Sequence, residues 1–192
     1  MKRLLFTALL SLPMILSAGQ YAGVKAGTDY KHKTDIATSG QNVGCQFGAS
    51  YGYDFANGVR SEIEVAFRNG QKRTKYTDKT LDIIESKQFD SSHSWSYMTN
   101  LIYDVSQLQI CNLTPYFGVG VGYVQSVEHR KIKFDHESNS EKRRDSGFAY
   151  QGIAGIKYPI AEKLSMDMQY CYHIPGPHTK NHSVTVGIVR AF

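Results

Sequence analysis

Beyond its first residues this 192-residue chain has no stretch approaching the roughly 20 continuous apolar residues of a membrane helix, and its mean hydropathy is −0.37. A membrane reading therefore has to be a reading in strands. A strong charge of one sign is missing too. The 22 Lys and Arg against 17 Asp and Glu leave +5, or +3 once Lys2 and Arg3 are removed with a leader, which is too mild a balance to imply nucleic acid. Cysteine is scarce. Three residues leave at least one unpaired, and Cys45 on an outward face, Cys111 in a short connection and Cys171 on an inward face do not converge. They read as small hydrophobes, with an intermolecular disulfide through Cys111 as the alternative.

Period-two alternation is abundant. In Thr114–Tyr123, TPYFGVGVGY, Phe117, Val119, Val121 and Tyr123 share one parity, while Gly118, Gly120 and Gly122 share the other. In a strand this makes one large apolar face and one face almost without side chains. Bare glycine suits the crowded interior of a small closed barrel, and a large apolar exterior suits lipid outside. The 13 Tyr, 9 Phe and 17 Gly lean the same way.

Residues 1–18 carry Lys2-Arg3, an apolar run from Leu4 to Leu16 and a small-residue end at Ser17-Ala18, the layout of a secretory signal peptide. The expectation is a signal at 1–18 and one barrel domain at 19–192. Seven further segments repeat the alternation. They begin at Ala22, Val43, Val59, Ser94, Phe148, Leu164 and Ser183, making eight strands in all. Between them run long polar connections (31–41, 69–93, 128–146, 173–182) and short ones, of which Ala56-Asn57-Gly58 has hairpin chemistry because Asn and Gly tolerate positive φ. Pro159 is expected to close the sixth strand. The result is an all-β, eight-stranded, antiparallel up-and-down transmembrane barrel. The termini and short connections lie on one side and four long extracellular loops on the other. Phe55, Tyr103, Phe117, Tyr158 and Phe192 would ring the periplasmic rim, and Tyr30, Phe67, Trp95, Tyr123 and Tyr170 the outer one.

Together Arg60-Ser61-Glu62-Ile63-Glu64, the Met98–Asp104 segment ending in Tyr-Asp, the Pro-Tyr-x-Gly-x-Gly-x-Gly strand, Tyr150-Gln151 and the terminal Phe192 resemble the eight-stranded outer-membrane proteins of the OmpA/OmpX and opacity-porin class, small surface antigens included. The resemblance covers the whole mature chain. It implies residence in the bacterial outer membrane after signal-dependent export, with Phe192 as an assembly signal read by the barrel assembly machinery. Arg190 departs from the pattern, standing where an apolar residue is usual.

Eight strands leave an interior filled by side chains. Lys25, Arg60, Arg68 and Lys157 are expected there against Asp29, Asp54, Glu62, Glu64, Asp104 and Asp167, with Lys25, Glu62, Glu64 and Arg68 at the centre of an ion-pair network. His136-Glu137-Ser138-Asn139 resembles the His-x-Ser-Asn signature of lipid A deacylases, but it lies in a charged loop, and Tyr150 stands where their acid would be. All seven histidines fall in or beside the long loops, and the His178/His182 spacing lacks an accompanying Cys or acid for zinc. No cofactor, metal or catalytic residue is expected. The function expected is a non-enzymatic surface protein whose loops meet host or anionic surface molecules and outer-membrane lipopolysaccharide, and which contributes to membrane integrity. The alternatives are a lipid-modifying enzyme and a purely structural barrel. Arg130, Lys131, Lys133, Lys142, Arg143 and Arg144 are the candidate polyanion contacts.

Overall fold

The computed structural model describes residues 19–33, 41–77, 85–108, 111–133, 138–176 and 179–192. The strands are β1 (Gln20–Lys33), β2 (Gln41–Asp54), β3 (Val59–Thr77), β4 (Glu85–Asp104), β5 (Thr114–Lys133), β6 (Ser138–Ala161), β7 (Leu164–Gly176) and β8 (Thr179–Ala191). Each pairs antiparallel with its sequence neighbour, and β8 returns to β1 to close a barrel. Closure gives every strand a partner on both edges, which is what a sheet in hydrocarbon requires.

The barrel is inside-out relative to a water-soluble one. Buried positions are mostly polar or charged, among them Gln46, Arg60, Glu62, Glu64, Arg68, Asn100 and Gln151. The outward ones are apolar: Val24, Phe47, Ile63, Leu101, Val119, Val121, Met168, Val186 and Ile188 are all exposed. A continuous apolar exterior of this kind is stable only against lipid. Aromatic residues flank it. Tyr103 meets Phe117 with ring centroids 5.6 Å apart near the short connections, and Phe67 meets Trp95 at 5.0 Å nearer the other end.

The glycine parity of β5 does what its sequence suggests. A Cβ on Gly120 would collide with Asn100 Oδ1 and come within 2.9 Å of Gln151 Cγ, and one on Gly118 would lie 2.7 Å from the Leu101 carbonyl oxygen. These positions are bare because neighbouring strands fill the space.

At the short-connection end, Asp54 N donates to Gly19 O (2.6 Å) and Phe192 N to Gln20 O (3.0 Å). The turn after β2 corrects an expectation. Positive φ falls on Ala56 (59°) and Gly58 (85°), whereas Asn57 acts through its side chain, Oδ1 accepting from Val59 N at 3.0 Å. Asp54 likewise belongs to this turn and not to the lumen, because its Oδ1 accepts from Ala56 N at 2.8 Å. Nor does Pro159 end its strand. β6 continues to Ala161 through a register shift between Pro159 and Ala161.

The long connections differ most from the expected loops. Much of 69–93, 128–146 and 173–182 is strand. β3 and β4 stay paired out to Thr77↔Glu85, and β5 and β6 out to Lys133↔Ser138. Because β4 and β5 also stay paired out to Lys87↔Lys133, the barrel wall extends past the aromatic residues as a four-stranded sheet, β3 to β6.

Candidate functional site

The lumen is filled in three layers. Nearest the short connections, Arg60 Nη2 lies 2.8 Å from Asp104 Oδ1, and Lys157 Nζ lies 2.8 Å from Asp104 Oδ2. The guanidinium is flanked by the rings of Tyr21 and Tyr116, at 5.4 and 5.2 Å. Tyr116 OH donates to Asp167 at 2.8 Å.

In the middle layer Lys25 Nζ stands 3.0 Å from Glu64 Oε2 and donates to Gln169 Oε1 at 3.1 Å. Asn100 Nδ2 bridges Glu64 Oε2 (3.0 Å) and Glu62 Oε1 (3.2 Å), and Gln151 Nε2 reaches Asn100 Oδ1 at 2.7 Å. Tyr21 OH donates to Glu62 Oε2 at 3.3 Å. Farther out, Arg68 Nη1 donates to Ser96 Oγ at 2.6 Å, and its Nε lies 3.6 Å from Asp29 Oδ1. Of the four residues singled out from sequence, Lys25, Glu62 and Glu64 therefore gather around Asn100, while Arg68 stands a layer away with Asp29. Charges of both signs buried this closely hold one arrangement only if paired and hydrogen-bonded.

Asn100 and Gln151 are the residues that sequence reasoning undervalued. Their inward parity was visible; their part in joining two carboxylates was not. His173 was misplaced altogether. The sequence pattern puts it in a polar loop, yet it lies inside β7 with the parity of Gln169 and Cys171 and is only 1% exposed. All three cysteines are free, Cys45 and Cys111 exposed and Cys171 buried.

Of the candidate basic residues, Lys142, Arg143 and Arg144 are exposed on β6 where it pairs with β5. Register sets Arg143 opposite Glu128, Lys142 opposite His129 and Arg144 opposite Val127. Arg130, Lys131 and Lys133 pair with Glu141, Ser140 and Ser138, and their side chains fall outside the described residues. His136 and Glu137 also lie outside them, and Ser138 opens β6 ten positions beyond the membrane-facing Phe148. That is roughly 33 Å along the strand, an unsuitable place for a nucleophile toward a lipid in the same membrane. Tyr150 faces outward and is exposed. His178 is outside the described residues, and His182 is engaged by Tyr170 OH at 2.6 Å. Among the described residues no group of three His, Cys, Asp or Glu gathers as metal ligands would.

Known proteins place this architecture. The chain is 29% identical over 159 residues to an outer membrane protein of Gluconacetobacter diazotrophicus, a match spanning 79% of this chain but only 38% of that relative. In three dimensions it resembles Neisserial surface protein A (TM-score 0.58, 16% identity, 91% of this chain and 97% of that one). It also resembles OprG of Pseudomonas aeruginosa (0.57, 16%, 92% and 97%) and Ail of Yersinia pestis in complex with the heparin analogue sucrose octasulfate (0.53, 15%, 91% and 99%). At these identities the likeness is one of fold. The family model described as the outer membrane protein beta-barrel domain matches residues 4–192, and the chain belongs to that family of outer-membrane β-barrels.

Proposed function

We propose that this barrel is a non-enzymatic surface protein that presents the β5–β6 ribbon to anionic molecules at the cell exterior: lipopolysaccharide phosphates, or acidic glycans on another cell. The observation that carries the reading is the way register sorts the ribbon's charges. Bases and acids nearly balance along the sequence, but cross-strand partners share a face. The parity that turns Tyr123 and Phe148 outward continues through Val127 and His129 on β5 and through Arg144 and Lys142 on β6. Among the described side chains that face therefore has two bases and no acid. The opposite face receives Arg143 together with Glu128 and Asp145. A one-signed face just beyond the lipid-facing wall favours anions, weakly and with strong dependence on salt. Ail, crystallised with a heparin analogue, gives a precedent for a barrel of this shape.

In this reading residues 1–18 are the export signal, the long connections are extracellular, Phe192 is the feature read by the assembly machinery, and the packed lumen keeps the wall rigid for membrane integrity. The test is a salt titration of the purified barrel against heparin and against lipopolysaccharide. Lys142→Glu with Arg144→Glu should weaken binding at low salt much more than Arg143→Glu. Equal effects, or an affinity indifferent to ionic strength, would mean that these charges only solvate the ribbon.

A further inference from the structure

Beyond the three charged layers, the barrel opens outward into a cavity of about 560 Å3. Its polar floor is unlike the rest of the lumen. Asp29, Arg68, His173 and Asn181 all line it, and each is more than nine-tenths buried. Yet Asp29 Oδ1, Arg68 Nε and Nη2, both ring nitrogens of His173 and Asn181 Oδ1 have no hydrogen-bond partner among the described protein atoms. The Arg68–Asp29 approach of 3.6 Å is too long to satisfy either group. Gln46 Oε1 and Ser183 Oγ, across the sheet from Arg68 and Asp29, are unpaired as well, whereas the charged side chains of the two inner layers are paired. Buried polar atoms left unmade are costly, so a floor that keeps several of them together, opening on a cavity, is organised to meet something polar from outside.

The unspent groups define the chemistry of that visitor. Arg68 offers only donors, Asp29 and Asn181 Oδ1 only acceptors, and His173 one of each. A simple anion would face the oxygens of Asp29 and Asn181, and a metal cation would face the guanidinium. A hydroxyl both donates and accepts, and a ring bearing several can answer all four residues at once. The walls add hydroxyls from Ser92, Ser94 and Ser126 and charges of both signs in equal number, Lys31 with its Nζ 2.8 Å from Glu128 Oε1, and Arg143 with Asp145. The volume falls within the ~300–1,000 Å3 typical of small-ligand sites, and it suits a sugar better than a single ion.

We propose that the outer mouth of the barrel is a binding site for a neutral, hydroxyl-rich sugar unit, taken from the protein's own envelope polysaccharide or from a free or foreign glycan. The site is separate from the outward basic face of the β5–β6 ribbon, and it stands or falls independently of it. Gly147 provides a clean obstruction. It lines the cavity with inward parity, and a Cβ there meets nothing within 4 Å, so a larger side chain enters the cavity without disturbing the wall.

The experiment is saturation-transfer NMR on the full chain folded in lauryldimethylamine oxide micelles, since maltoside detergents would themselves present a sugar. The probes are lactose, neutral polysaccharide released from lipopolysaccharide by mild acid, and alanine, whose zwitterion meets Arg68 and Asp29 but has no hydroxyl. Transfer to a sugar probe is expected in the wild type and in Lys142→Glu with Arg144→Glu. Most of it should be lost in Gly147→Leu and in Asn181→Leu, with folding of each variant checked by heat-modifiable gel migration. Signal from the polysaccharide alone would identify the envelope as the source, whereas signal from lactose as well would identify sugars generally. No transfer to either sugar, transfer to alanine alone, or transfer undiminished in folded Gly147→Leu would overturn the assignment.

Discussion

Glu64→Gln tests the view that the lumen is held by paired charge and not merely by filled volume. Glu64 is 1% exposed, 3.0 Å from Lys25 Nζ, and accepts from Asn100 and Gln151. Glutamine keeps the shape but removes the charge opposite Lys25. Breaking a buried pair on one side costs about 3–5 kcal/mol, because it leaves an uncompensated ion. The lower end is expected here, about 3 kcal/mol, since Lys25 keeps its bond to Gln169 Oε1. Lys25→Met combined with Glu64→Leu removes both ions and replaces them with apolar bulk, and it should recover most of that loss, as replaced buried pairs usually do. The assay is reversible urea unfolding in lipid vesicles. Trp95 serves as the fluorescent reporter, being the single tryptophan and lying on the exposed outer face. If Glu64→Gln were as stable as wild type, or if the double variant were less stable than the single by the full value of a second lost ion, paired charge would not be what holds the lumen.

Three other outcomes follow from the wall and the seam. Val119→Arg, on the apolar exterior of β5, should lower stability by about 2–4 kcal/mol in the same assay, whereas an unchanged midpoint would mean that the outer face does not meet lipid. Gly120→Leu should destabilise by about 1–3 kcal/mol or prevent folding, because its Cβ runs into Asn100; a stabilised variant would reverse the two faces. Deleting Phe192, whose N–H closes the β1–β8 seam onto Gln20 O, should lower membrane yield well below that of a His178 deletion, and equal yields would remove any special role for the terminal residue.

The membrane-spanning part of the fold was legible because its two faces differ in solvent. Where one side meets lipid and the other a polar lumen, parity is written as Val-Gly-Val-Gly or as Ile63 against Glu62 and Glu64, and strand and orientation are read off together. Above the membrane the contrast disappears. From Lys142 to Ser146 on β6 every residue is exposed, whichever way it points, so a paired strand and a polar loop have the same composition. His173 was lost at that boundary: Tyr172 and Ile174 on either side of it are only half-buried, and a Pro175-Gly176 pair follows.

What a single strand cannot carry is register, and both candidate sites depend on it. That Lys142 stands across from His129, and Arg143 across from Glu128, is fixed by where the β5–β6 pairing begins, at Thr114↔Lys157, and then propagates without a shift through twenty rungs to Lys133↔Ser138. A slip of one residue would exchange the faces, sending Lys142 and Arg144 to the mouth and Arg143 and Asp145 to the exterior. The register is pinned far below, in the membrane. There Gly120 lies across from Gln151, whose Cγ would stand 2.9 Å from a Cβ on the glycine, and a slip of one residue would pair Gln151 with Val119 or Val121 on the lipid side. The same glycine that leaves room for Asn100 at the centre of the lumen thus helps set, some twenty residues away, which charges meet the outside.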